Sequence, residues 1–202
     1  MKRKTEAKRQ QIIDIARKIF IELGYEQASM SKISENLGGS KATLYNYFGS
    51  KEELFYATLL VHIQTEFQIV QKALNLDTND ISKALYTFGE KFLTFIYSNQ
   101  VKEIRRLSIR ECSKIKFGKT TYELGPKRGH KVISSFLEEA NKQKQLCIQN
   151  PQVATQHLLA LLESETLIPF LMNVKTEFTQ EELKAISKRA IDVFLRAYKY
   201  KE

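Results

Sequence analysis

The run Ser29-Met30-Ser31-Lys32-Ile33-Ser34-Glu35-Asn36-Leu37-Gly38-Gly39-Ser40-Lys41-Ala42-Thr43-Leu44-Tyr45-Asn46-Tyr47-Phe48 carries the residues with the clearest chemistry in the chain. An asparagine can pair two hydrogen bonds with an adenine edge, a lysine can reach guanine acceptors and an alanine can touch a thymine methyl. Asn46, Lys41 and Ala42 supply these three groups within one short segment. Thr43, Tyr45, Tyr47 and Lys51 offer donors suited to phosphate oxygens, contacts that fix register without reading sequence. Ser29, Ser31 and Ser40, at the starts of the two short helical stretches, complete the expected DNA-binding set.

These side chains need a scaffold with one buried and one open face. Ile33 and Leu37, then Leu44 and Phe48, sit four apart on either side of Gly38-Gly39, so two short helices joined by a tight turn can share one apolar face. That is a helix-turn-helix, whose second helix can enter a major groove. A first helix, Lys8 to Leu23, presents Ile12, Ala16, Ile19, Phe20 and Leu23 as the matching stripe. Gly24 ends it through a left-handed conformation, and Tyr25 folds back on the last turn. Ser50 and Glu53 have the spacing of a capping box and open a fourth helix toward Leu76.

Helical spacing continues to the end, so the fold reads as all-α. After the polar break at residues 77–80, helices are expected over Ile81 to Asn99, Val101 to about Phe117 and Lys127 to Lys144. Asn150-Pro151 and the Thr179 to Glu182 capping box open two more. Leu158 to Leu171 is apolar on nearly all sides, which fits a segment facing its own domain and a partner. Arg105, Arg106, Arg110, Lys114 and Lys116 form a basic run that reads as a solvated face, with an anionic effector as the alternative.

Lys and Arg exceed Asp and Glu by 32 to 23, so the net charge of +9 favours a polyanionic partner. Nucleic acid and an anionic membrane surface both qualify, and the basic stretch beside the helix-turn-helix favours DNA. No apolar run is long enough to span a membrane and no secretion signal is read, so the expected location is cytoplasmic. Cys112 and Cys147 lack a metal or disulfide pattern, and His62, His130 and His157 lack ligand spacing. No metal, cofactor or catalytic residue is expected. An α-helical enzyme is a remote alternative without a phosphate loop, ligand cluster or nucleophile motif to support it.

The segment RQQIIDIARKIFIELGYEQASMSKISENLGGSKATLYNYFGSKEELF resembles the DNA-binding domain of the TetR family. The resemblance rests on Ile12, Ala16 and Phe20, Gly24-Tyr25, Ile33, Gly38, Ser40, and the run Thr43-Leu44-Tyr45-x-x-Phe48-x-x-Lys51. It departs at Gly39, where a branched apolar residue is usual, and at Ser34, where alanine is usual. Each departure is expected to loosen the turn modestly, glycine by about 1 kcal/mol. Farther on, IRRLSIRECSKIKFGKTTYELGPKR is similar to the AefR-like subgroup.

The resemblance implies a three-helix helix-turn-helix domain over residues 1–51 and a helical ligand-binding and dimerisation domain over 52–202. The middle helices would surround an effector pocket, for which Phe67, Tyr86, Phe92, Phe95, Phe117, Tyr122, Phe136 and Phe170 are aromatic candidates. The last helices would pair with their copies, with Leu158, Leu161, Leu162, Leu167, Ile186, Ala190, Val193 and Phe194 at the homodimer interface. The expected function is a repressor that binds a palindromic double-stranded operator and leaves it when a small-molecule effector binds. A transcription activator and an architectural DNA-binding protein without effector control are the alternatives.

Overall fold

In the computed structural model, residues 5–75, 80–111, 119, 122–123 and 125–200 are described, with the side chains of 59–65, 107 and 110–111 excepted. The chain is all-α and divides into two compact units, residues 1–65 and 66–202.

The first unit opens with α1 (Glu6–Gln27), capped by the Thr5 hydroxyl, which accepts from the Lys8 N–H. Gly24 leaves helical geometry at φ +72°, and one further turn carrying Tyr25 follows it. Helix α2 (Met30–Asn36) is capped by Ser29 and α3 (Lys41–Tyr47) by Ser40. Between them Gly38 adopts φ +64°, the left-handed turn that a Cβ disfavours. Ile12, Ala16, Ile33 and Leu44 are completely buried and Phe48 nearly so, forming the core of this unit. Helix α4 (Lys51–Gln71) follows, with the Ser50 hydroxyl taking the Glu53 N–H and the Glu53 carboxylate taking that of Gly49. The division between the units falls inside α4.

The second unit contains α5 (Ile81–Ile96), α6 (Asn99–Glu111), α7 (Pro126–Lys142), α8 (Pro151–Glu163), the single turn of α9 (Leu167–Leu171) and α10 (Gln180–Tyr198). Proline at the first helical position starts α7 and α8, where its missing N–H would have had no helical partner. Asn150 caps α8, and a reciprocal capping box of Thr179 and Glu182 starts α10. The Glu182 carboxyl is held below its ordinary value first by the Lys175 hydrogen bond and then by the Thr179 N–H. Its support of α10 is therefore present at neutral pH and fades as pH falls through that depressed value.

Helix α10 packs on α5 and α8, and α7 packs on α8. Phe88, Leu93, Leu158, Leu162, Ile191 and Phe194 fill the seam without exposed surface. At its closest point Gly89 faces Ser187: a Cβ there would collide with Ser187 Oγ and stand 3.0 Å from Leu162 Cδ2. The chain end is tied back by an antiparallel bridge, with Cys147 N–H donating to the Tyr198 carbonyl and Tyr200 N–H to that of Gln145.

Gly89→Ala should lower stability by about 1–3 kcal/mol through overpacking, seen as a lower urea midpoint with an unchanged slope. A midpoint equal to that of the parent would mean that α5 and α10 separate without penalty.

Candidate nucleic-acid interface

Helix α3 has only seven residues, too short to persist alone in water, so its packing determines its orientation. With Leu44 and Phe48 buried, Lys41, Ala42, Tyr45 and Asn46 lie exposed on the opposite side. They occupy positions one, two, five and six of the helix and so share one open face. The expected base readers Asn46, Lys41 and Ala42 are thus brought together.

The remaining expected contacts divide. Ser29 and Ser40 already accept the N–H groups of Lys32 and Thr43, and the Thr43 hydroxyl lies 3.1 Å from that of Ser40. These side chains hold the helix starts in place, while Ser31 is half-buried. The Tyr47 hydroxyl accepts the backbone N–H of Thr5 at 3.1 Å, joining the start of α1 to the end of α3. Arg9 lies over the Phe48 ring at 5.2 Å, a support that sequence spacing did not single out.

Lys51 differs from its reading as a phosphate contact. Its ammonium donates to the carbonyls of Tyr25 at 2.6 Å and Ala28 at 2.9 Å, with that of Glu26 at 3.5 Å. It also sits 4.1 Å from the Tyr25 ring centroid. An ammonium has three donors, and these carbonyls occupy them. Lys51 therefore joins the end of α1 to the start of α4, where Tyr25 also donates to Glu52 and packs on Phe55. The two family departures also prove to be connected: Ser34 Oγ donates to the Gly39 carbonyl at 2.8 Å. This bond closes the turn expected to be loosened.

In the second unit the aromatic candidates do not form one lining. Phe67 and Phe95 are half-buried with ring centroids 5.7 Å apart, and Gly129 of α7 lies against Phe67. Phe92 stacks on Phe88 in the core, Phe136 is buried on α7, and Phe170 is buried edge-on to Tyr97. Tyr122 is exposed, and Phe117 lies outside the described residues. Tyr86 donates to Asp192, a bond that raises the Tyr86 pKa, while Lys188 is the main cause of the lowered Asp192 value. Tyr86 also borders an open groove of about 610 Å³ with Arg196 and Lys199.

Of the residues expected at the subunit interface, Leu158, Leu162 and Phe194 have no exposed surface in the single chain, and Ile186 and Ala190 are buried with them. Leu161 and Leu167 are half-buried, whereas Val193 is 48% exposed. In the basic run on α6, Arg106 is exposed as on a solvated face and Arg105 is not. Lys102 is buried against Thr176 and Glu177, and Arg105 pairs with Glu163 at 2.5 Å between the rings of Tyr97 and Phe170. Burial is the main cause that pushes the Tyr97 phenol above its ordinary value. Arg110, Lys114 and Lys116 carry no described side chain.

A glycine-turned pair of short helices with an open polar face, on a basic chain, defines a helix-turn-helix regulator of the DNA-binding class. A profile of bacterial regulatory proteins, tetR family, matches residues 12–58, and one described as AefR-like transcriptional repressor, C-terminal domain, matches residues 83–200. The chain belongs to the TetR family and is a transcription regulator rather than an enzyme. The HTH-type transcriptional activator FasR of Mycolicibacterium smegmatis is 35% identical over 91 residues, 45% of this chain and 41% of that protein. A TetR-family regulator from Mesorhizobium loti has the same fold, with a TM-score of 0.79 at 24% identity, over 97% of this chain and 100% of that one. The flavonoid-responsive regulator FrrA superposes with a TM-score of 0.73 at 26% identity, over 98% of this chain and 100% of that one. Among the described residues, no helix is long and apolar enough to cross a membrane.

Lys51→Ala should destabilise the first unit by roughly 1.5–3 kcal/mol, the range for hydrogen bonds to a charged group. The salt dependence of operator binding should stay that of the parent. In parallel, Lys41→Ala, at the position assigned to a guanine, should relax the base preference there. A reduced slope for Lys51→Ala at unchanged stability would return Lys51 to the phosphate backbone.

Proposed function

We propose that the chain is a ligand-responsive repressor that binds a palindromic operator as a homodimer and is released by a small-molecule effector. The observation that carries this reading is the open face of α3, where Lys41, Ala42, Tyr45 and Asn46 stand clear of a packed core. Asn46 reads an adenine, Lys41 a guanine and Ala42 a thymine methyl, while Tyr45 and the ends of α2 and α3 meet phosphates. Repression is favoured by the AefR-like repressor profile over the second unit. The activator FasR, similar to 45% of this chain, supports activation as the second reading.

A palindromic site needs two recognition helices about 34 Å apart or a multiple of it, which a two-fold pair of subunits supplies. The surface we assign to that pairing is the outward side of α8 and α10, with Val153, Ala160, Ala185, Val193 and Ala197, since the buried leucines face their own core. Small residues there let two helices approach closely. For the effector, the half-buried pair Phe67 and Phe95 beside Gly129 is the favoured starting surface. That the related FrrA is flavonoid-responsive supports an effector of some kind. Such a regulator acts where the chromosome is, in the cytoplasm.

Selection of binding sequences from a random duplex pool should return a palindrome. Asn46→Ala should relax preference at one base in each half-site, losing about 1–3 kcal/mol of discrimination. An unchanged preference would remove Asn46 from base reading, and a non-repeating site would argue against the dimer.

A further inference from the structure

Helix α6 is attached to the segment between α8 and α10 through polar groups. Lys102 Nζ donates to the Thr176 carbonyl at 3.0 Å and pairs with Glu177 at 2.5 Å. One turn on, Arg105 Nη2 reaches Glu163 at 2.5 Å, and Arg106 donates to Asn173 Oδ1 at 3.0 Å. The same face holds buried polar atoms without a hydrogen-bond partner among the described residues: Ser98 Oγ, Arg105 Nη1 and Ser108 Oγ. An attachment with polar atoms left unpaired is weaker than a fully paired one and more easily exchanged for another.

The segment that α6 grips turns an apolar surface outward. Ile168, Met172 and Val174 are 63%, 71% and 80% exposed, and Leu171 is 44% exposed. Adjacent apolar exposure of this kind marks a contact surface more often than single exposed residues do. It continues the outward side of α10, because Glu165 at the start of the segment forms a two-pronged ion pair with Arg189, on the same stripe as Ala185 and Val193.

We infer that the Lys102, Arg105 and Arg106 face of α6 is a clamp that sets the position of residues 163–177, and that this segment extends the contact with a second copy of the chain. The inference rests on the dimer reading above. A shift of α6 releases the ion pairs, moves the apolar segment and alters subunit contact, without passing through the helix-turn-helix unit. Glu163 is shared by Arg105 and the Tyr97 hydroxyl, so withdrawal of Arg105 leaves the carboxylate with one donor in a half-buried setting.

The test uses the full chain, with dimer dissociation measured by dilution and backbone hydrogen exchange read over residues 163–177. Met172→Asp, at a site too exposed to disturb the core, should raise the dissociation constant by about tenfold or more, as expected for a charge placed in a desolvated contact. Arg105→Met should speed exchange in the segment and raise the dissociation constant, with less than additive loss when combined with Met172→Asp. Should Arg105→Met speed exchange throughout the second unit, Arg106→Ala at the exposed Asn173 contact provides the same two readouts with a smaller effect. A parent that dimerises while Met172→Asp leaves the constant unchanged overturns the extended contact. Faster exchange at an unchanged constant overturns the clamp. A parent that is monomeric at all concentrations overturns the dimer reading itself.

Discussion

Burial of Leu44 and Phe48 is the interaction on which DNA recognition by this chain depends. A seven-residue helix has too few internal hydrogen bonds to offset the entropy of its own nucleation, so α3 exists only while that face is held. The core residues Ile12, Ala16 and Ile33 supply the apolar side, and Arg9 covers the Phe48 ring. The rest is local: Ser40 takes the Thr43 N–H, Gly38 turns the chain in a left-handed conformation, and Ser34 locks Gly39. Lys51 adds the long-range tie by gathering the carbonyls at the end of α1 onto the first residue of α4. Under the proposed function, this rigidity behind the helix would make a bidentate contact from Asn46 selective, because a mobile side chain would accept several bases with similar energy.

The second unit joins its helices in two different ways. Where Gly89 meets Ser187, α5 and α10 approach so closely that a methyl group would collide, and the seam around it is apolar. Close-packed seams of this kind resist small displacements. Helix α6 also buries Val101 and Ile104, but it is joined to the segment before α10 through the Lys102 and Arg105 ion pairs, with Arg105 Nη1 left without a hydrogen-bond partner among the described residues. Under the proposed function, the apolar seam would serve as the stable frame and α6 as the element that takes a second position.

The helix-turn-helix was legible in the sequence because its signals are local. Gly24 and Gly38 take the positive φ angles for which glycine is suited, and the spacing of Ile33, Leu37, Leu44 and Phe48 fixed which side of each helix would be buried. The structural role of Lys51 was hidden because its partners are backbone carbonyls 23 to 26 positions away, and the sequence pattern shows only a lysine beside a DNA-reading element. A similar limit applies to α8. The apolar character of Leu158 and Leu162 says that they are buried, but not whether their own chain or another covers them, and the structure puts both in the chain's own core. Arg105 looked solvated, and Lys102 was not singled out at all, because a run of cations carries no sign of the carboxylates brought to it from more than fifty positions away. Aromatic residues were equally silent about grouping, since among the described members of the expected set Phe67 and Phe95 are the pair whose rings approach one another.

Whether α3, held from behind, presents one open face to DNA is read from differential hydrogen exchange of the full chain with and without a duplex that it selects. Protection gained on binding should fall on residues 40–47 and the start of α2, with the α5 to α10 seam unchanged. Protection concentrated on α8 or α10, with residues 40–47 exchanging as in the free protein, would contradict a DNA-facing α3.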